Sequence, residues 1–221
     1  MDLDMKAWLR GLGEAKRKKA LPILSFPAVQ LMGITVRELI SDSGRQAEGM
    51  ARIAQRVDAA AAVSLMDLSV EAECFGSQIV DSEDEVPTVT GSILSDPSQV
   101  EALAIPQVGA GRTCIYLEAV RKAVERIQDR PVFAGMISPY SLAGRLLDVT
   151  EIMLYCYDDP DMVAQLLDKV TEFLIAYGRA YKETGANGIM LAEPLAGLLS
   201  PALAEEFSAS YVTRIVDALQ D

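Results

Sequence analysis

Residues 185–207, GANGIMLAEPLAGLLSPALAEEF, pack a strand, an acid at its end, a loop and a capped helix into one short run. The apolar series Ile189, Met190, Leu191 and Ala192 suits a strand covered on both faces, as in a parallel sheet. Glu193 then stands where such a strand meets its loop. In barrel enzymes that end of the strand carries the chemistry. Ser200 as N-cap and Pro201 at the first helical position announce a helix, and Leu203, Phe207, Tyr211, Ile215 and Leu219 recur along it at helical spacing.

Working back toward the N-terminus, the same alternation repeats. Residues 1–20 read as an amphipathic helical extension, and residues 21–221 as the domain proper. LPILSF at 21–26 reads as a first strand, a helix over 46–57 follows, and AAAVSLM at 60–66 reads as a second strand ending on Asp67. Residues 77–106 read as a long, mostly irregular insertion, with a solvated acidic run at 81–85. A helix over 112–128 leads to a third strand, PVFAGMI at 131–137. Asp159 and Pro160 then open a long helix that stops at Gly185. Its buried stripe is expected to be Val163, Leu167, Val170, Leu174, Tyr177 and Tyr181. Four strands alternating with helices predict a parallel α/β arrangement with right-handed crossovers.

Composition narrows the chemistry. The chain has 221 residues, 50% of them hydrophobic, a mean hydropathy of +0.19 and a formal net charge of −12. The charge disfavours nucleic acid and acidic membrane surfaces as partners, since both are polyanions. No apolar run approaches the roughly 18–20 residues of a membrane span, and the N-terminus does not read as a signal peptide, so the expected location is cytoplasmic. Cys74, Cys114 and Cys156 form no paired motif and read as reduced thiols. The sequence contains no histidine. That removes the commonest general base and metal ligand, leaving carboxylates, tyrosines, thiols or bound groups to act.

Three segments together carry a family resemblance: LMDLSVEAECFG at 65–76, MISPYSLAGRLL at 136–147 and AEPLAGLLSPALAEEF at 192–207. They resemble the uroporphyrinogen decarboxylase superfamily, which includes methyltransferases that pass a methyl group from methylcobamide to a thiol such as coenzyme M. The resemblance implies a (β/α)8 TIM barrel with its pocket at the C-terminal ends of the strands. A complete barrel takes about 250 residues, so the chain is expected to form its N-terminal half, about four βα units behind the helical extension. Such a half would leave strand edges and an inner sheet face uncovered. Two remedies are expected: a homodimer in which each copy covers the other's sheet, or a longer parent protein of which this chain is a fragment. The truncated chain alone is expected to be inactive.

The branch within the family is read from departures. Asp67 falls where decarboxylases carry the aspartate that grips pyrrole N–H groups. Their arginine-rich N-terminal motif would lie at 28–33, where no arginine stands, and Arg145 and Pro194 replace a tyrosine and a serine. The preferred reading is therefore a corrinoid methyltransferase, with a small thiol and a corrinoid or corrinoid protein as partners. In that branch zinc activates the thiol through a His-x-Cys pair and a later cysteine. Neither exists here, so this chain is expected to hold no cofactor alone, and zinc and a methylated corrinoid are expected for the intact parent. The alternatives are the decarboxylase of porphyrin and heme biosynthesis, a lyase without metal, and a non-catalytic corrinoid- or tetrapyrrole-binding module. The candidate catalytic residues are Asp67 and Glu193. The candidate binding residues are Glu71, Ser138, Tyr140, Ser141 and Arg145, and Glu71 and Glu73 alternate as on an extended segment, so that only one faces the pocket. Ser138, Tyr140 and Ser141 open a helix whose free N–H groups suit an anion. No metal ligand is assigned.

Overall fold

The structure is a computed structural model that describes residues 3–220. Residues 1, 2 and 221, which the sequence reading assigned to the two ends of its domains, lie outside the described residues. Three parallel strands form the centre, β1 (Ala62–Val63), β4 (Val132–Ile137) and β5 (Gly188–Ala192), in the order β1-β4-β5. A small antiparallel hairpin, β2 (Gln78–Val80) with β3 (Thr88–Thr90), stands apart from them. The helices that connect the parallel strands are α7 (Thr113–Arg126), between the hairpin region and β4, and α10 (Pro160–Glu183), leading into β5. With α4 (Ser43–Arg56), these build the outer layer.

The register explains how the two sheet faces differ. Phe133, Gly135 and Ile137 pair with Gly188, Met190 and Ala192, while Ala134 and Met136 pair with Ile189 and Leu191. Successive strand residues point to opposite faces. Ala134 and Met136 join the main core with the buried stripe of α10, in which all six residues expected from the sequence are buried. Each such Val, Leu or Tyr taken out of water contributes on the order of 1.5–3 kcal/mol. The opposite, inner face carries Phe133, Ile137 and Met190, and at two positions it has no room for a side chain. A Cβ on Gly135 would come within 2.1 Å of Met66 Sδ, and one on Gly188 within 3.0 Å of the Phe133 ring. Trp8, on α1 (Met5–Glu14), meets Phe133 edge-on at 5.7 Å, so the N-terminal helix lies against this face near the start of β4.

Several elements differ from expectation. The segment at 21–26 is not a strand: Met66 N–H donates to Ser25 Oγ at 3.4 Å, and just before the segment Ala60 N–H donates to Ala20 O at 2.8 Å, but no ladder forms. Pro22 has no N–H to donate and Pro27 ends the run, so a continuous ladder is denied to it. The described sheet therefore has three parallel strands where four were expected. The second strand is also shorter than AAAVSLM, for a reason that matters at the site. Residues 77–106 are mostly irregular, as expected, but they also hold the hairpin and α6 (Pro97–Ala102), which Asp96 caps. The final helix is broken: α11 (Pro201–Ala204), a π turn (Glu205–Ala209), then α12 (Ser210–Leu219). Finally, β5 is half-buried throughout rather than covered on both faces, because its outer edge pairs with no strand among the described residues. No described helix is long and apolar enough to cross a membrane.

Candidate active site at the C-terminal end of the sheet

The mouth opens where β1 leaves β4. Ser64 N–H still donates to Phe133 O at 2.9 Å, but beyond it side chains take over the ladder. Ser64 Oγ accepts from Gly135 N–H at 2.8 Å, and Glu71 Oε1 accepts from Ile137 N–H at 3.1 Å. Two β4 donors are thereby satisfied without a neighbouring strand, and the chain from Leu65 onward is free to turn away. Residues 70–74 form a single helical turn, α5 (Val70–Cys74), not the extended segment expected. The helical turn, rather than strand alternation, separates the two acids: Glu71 is buried, and Glu73 turns outward to an ion pair.

Asp67 sits in a closed network. Its Oδ1 accepts from Ser69 N–H at 3.1 Å and Ser69 Oγ at 2.5 Å; its Oδ2 accepts from Arg112 Nη1 at 2.5 Å and Tyr116 Oη at 2.7 Å. A carboxylate offers about four lone-pair sites, and all are used. Arg112 spends its other donors on Glu73 Oε2 at 2.6 Å and Ser69 Oγ at 2.9 Å. Arg112 occupies the N-cap position of α7, where a positive charge is disfavoured by the helix dipole. The two acids offset that cost. Burial opposes the charge on Arg112, but Asp67, Tyr116 and Glu73 together outweigh it and hold the guanidinium pKa above its ordinary value. Burial, reinforced by the Asp67 charge, likewise pushes the Tyr116 hydroxyl well up.

Glu193 is also engaged. It accepts from Tyr140 N–H at 3.0 Å and Ser141 N–H at 2.7 Å, and from the Ser141 hydroxyl, at the start of α8 (Pro139–Leu147). Ser141 Oγ in turn accepts from Leu195 N–H at 3.1 Å. The helix N–H groups at Tyr140 and Ser141 that were expected to receive a ligand anion are therefore filled by the chain's own carboxylate. Burial raises the Glu193 pKa, against the pull of the Ser141 hydroxyl and the two N–H groups. The Tyr140 ring is fully buried, with its hydroxyl 3.8 Å from Cys156 Sγ, so it faces the core.

Glu71, Ser138 and Arg145 stand differently. Burial pushes Glu71 up to about 7, with the Ile137 N–H opposing and Asp67 adding to the rise. Burial lowers the Arg145 pKa while Glu71 and Asp67 hold it up. Sequence reading missed Arg112, Tyr116 and Ser69, which lie 45, 49 and 2 residues from Asp67. The signal available was the i, i+4 spacing of Arg112 and Tyr116, which sets two polar side chains on one side of a helix whose buried residues also include Thr113, Ala119, Val120 and Ala123. Among the described residues no group of three or more Cys, Asp or Glu side chains is arranged to hold a metal ion, and with no histidine the residues present do not fit a zinc site.

Comparison with known proteins places this geometry. The family model described as uroporphyrinogen decarboxylase matches residues 23–221. A methylcobamide:CoM methyltransferase of Methanosarcina acetivorans is 28% identical over 159 residues, covering 70% of this chain and 47% of that protein. One from Methanosarcina barkeri is 33% identical over 149 residues, covering 65% of this chain and 43% of its own length. A uroporphyrinogen decarboxylase of Xylella fastidiosa is 27% identical over 167 residues, covering 72% and 47%. The chain thus spans about half the length of the curated relatives it matches. The solved structure of a methyltransferase from Methanosarcina mazei superposes with a TM-score of 0.86 at 25% identity, over 98% of this chain and 67% of that one. With nearly the whole length matched by the family model and the parallel α/β fold shared, the chain belongs to the uroporphyrinogen decarboxylase family.

Proposed function

We propose that this chain forms the N-terminal part of a barrel whose activity is methyl transfer from a corrinoid to a thiol such as coenzyme M. The observation that carries the choice is the saturation of Asp67. Gripping pyrrole N–H groups requires acceptor lone pairs, and those of Asp67 already receive Ser69, Arg112 and Tyr116. Spending them on a tetrapyrrole would strand a buried arginine, at a cost of several kcal/mol. The methyltransferases of Methanosarcina among the relatives support the same branch.

In the proposed reaction the acceptor thiol would give up its proton to water and its sulfur would form a bond to the methyl carbon as the carbon–cobalt bond of the methyl donor breaks, its electron pair staying with the donor. This chain's residues orient the acceptor. Asp67 and Glu193 act as fixed struts: the first locks α7 to the loop after β1, the second locks α8 to the end of β5. Zinc, expected from the resemblance, finds no fitting set of residues here, so no step is assigned to a metal.

The reading is tested by equilibrium binding of uroporphyrin to the chain and to its Asp67→Asn variant. Uroporphyrin is expected not to be retained by either. Saturable binding that the substitution abolishes would overturn the assignment in favour of the decarboxylase.

A further inference from the structure

The unpartnered atoms Glu71 Oε2, Ser138 Oγ and Arg145 Nε belong to the mouth already described. At the opposite, N-terminal end of the sheet lies a separate cavity of about 400 Å³, a volume within the range of small-molecule sites. Trp8, Gly11 and Leu12 of α1 line it on one side, and Ala60 and Pro131, shortly before β1 and β4, on the other. Two ion pairs complete the lining: Lys19 Nζ to Asp58 Oδ1 at 2.5 Å, and Arg130 Nη2 to Asp129 Oδ2 at 2.7 Å. Lys18 Nζ donates to Leu12 O at 2.9 Å and turns the chain back from the end of α1, so that Ala60 N–H meets Ala20 O at 2.8 Å. Arg130 Nη1 fastens the sheet side by donating to Val57 O at 2.7 Å and Ala59 O at 3.3 Å. The helix side is held less firmly, since no residue of α1 is buried.

Gly11 is the first sign that the space is meant to be filled. A glycine inside a helix weakens it relative to alanine, and such a residue ordinarily answers to close packing or to function. A Cβ on Gly11 would meet nothing within 4 Å, and its backbone is right-handed helical. Neither packing nor conformation requires glycine there. The charges give the second sign. Lys19, Arg130, Asp58 and Asp129 sum to zero, so a lone anion would compete with the acids for the bases, and a lone cation with the bases for the acids. A zwitterion brings both charges, and a pair that it opens is remade on both sides.

The pair that can open is Lys19–Asp58, whose side chains are 49% and 76% exposed, because exposed pairs of this kind contribute little to stability. Arg130 is 13% exposed and tied to two backbone carbonyls, so it stays in place. The rest of the lining is apolar, with Trp8, Leu12 and Pro131 as its largest parts. We propose that this cavity binds a free α-amino acid with an apolar side chain. Lys19 takes its carboxylate, Asp58 takes its ammonium, and the side chain lies against Trp8 and Leu12. An occupant touching both sides ties α1 to the sheet. The site stands at the end of the sheet away from the mouth and does not rest on the methyl-transfer reading.

Trp8 is the one tryptophan in the sequence, so indole emission reports on this cavity. The full chain is titrated with L-phenylalanine, and in parallel with L-phenylalanine amide, which lacks the carboxylate, and phenylpropionate, which lacks the ammonium. A saturable change with phenylalanine is expected. Each control should bind at least about tenfold more weakly, the factor carried by one charge-assisted contact. Lys19→Gln should bring phenylalanine down to the level of its amide. Gly11→Leu fills the cavity from the helix side, where the new Cβ has open space; it should abolish binding and leave the urea midpoint unchanged or raised. Absence of a saturable change, equal binding of either control, or binding that persists in folded Gly11→Leu would overturn the proposal.

Discussion

Replacing Arg112 by methionine tests the network that closes around Asp67. The substitution keeps the aliphatic bulk of the side chain and removes its donors to Asp67, Glu73 and Ser69. The Asp67 side chain is 0% exposed and that of Arg112 14%, so solvent cannot replace the lost partner. Breaking a buried pair from one side costs about 3–5 kcal/mol. Because Tyr116 and Ser69 still donate to Asp67, the lower end, about 3 kcal/mol, is expected. Urea unfolding with a slope near 3 kcal/mol/M should then show a midpoint lowered by about 1 M. Adding Asp67→Asn removes the stranded charge, so the double variant should recover at least about 1.5 kcal/mol relative to the sum of the single effects. A single-variant loss under about 0.5 kcal/mol, or strict additivity, would refute the claim that the pair is a buried, mutually dependent unit.

Other consequences are equally open to measurement. Glu71→Gln should stabilise the protein at pH 8 by about 3 kcal/mol and hardly at all at pH 4. The sign follows from a folded-state pKa raised from 4.5 to about 7. Below 4.5 both states are neutral; as pH rises to 7 the unfolded chain releases a proton that the fold retains, and the penalty is complete above 7. Equal effects at both pH values in urea titrations would contradict this. Glu193→Ala should cost about 1–3 kcal/mol and speed amide exchange at Tyr140 and Ser141, the two N–H groups it caps; unchanged protection there would refute the capping role. Along β5, Ser138 N–H donates to Ala192 O, and alternation turns the N–H groups of Ile189 and Leu191 to the open edge. Those two amides should exchange faster than Met190 and Ala192. Equal protection would mean that another strand, such as one from a second copy, pairs that edge.

Residues 185–207 carried most of the fold, because strand, acid, cap and helical period are all local signals. Glu193 does lie at the end of its strand. Its partners could not be read locally, since Tyr140 and Ser141 are 53 and 52 residues away. The N-terminal apolar run misled for the opposite reason: its hydrophobicity is local, but the missing donor at Pro22 and the partner it would need are not expressed in an apolar pattern. Asp67 was legible as a polar residue after a buried strand, and its exhaustion by Arg112 and Tyr116 was not, because helix α7 reaches it only through the tertiary fold. Glu71 gained weight from its surroundings. In sequence it was one of two acids in VEAEC; in the structure a single helical turn buries it and hands Glu73 to Arg112.

The most direct test of methyl transfer is product analysis with carbon-13-labelled methylcobalamin. The chain is fused to the part of the Methanosarcina mazei methyltransferase that it does not cover, then incubated with coenzyme M and excess zinc, and in parallel with uroporphyrinogen without metal. The labelled methyl thioether of coenzyme M, with no carbon dioxide from the porphyrinogen, is the expected result. Decarboxylation of uroporphyrinogen by the folded protein, with the label left on cobalamin, would contradict it.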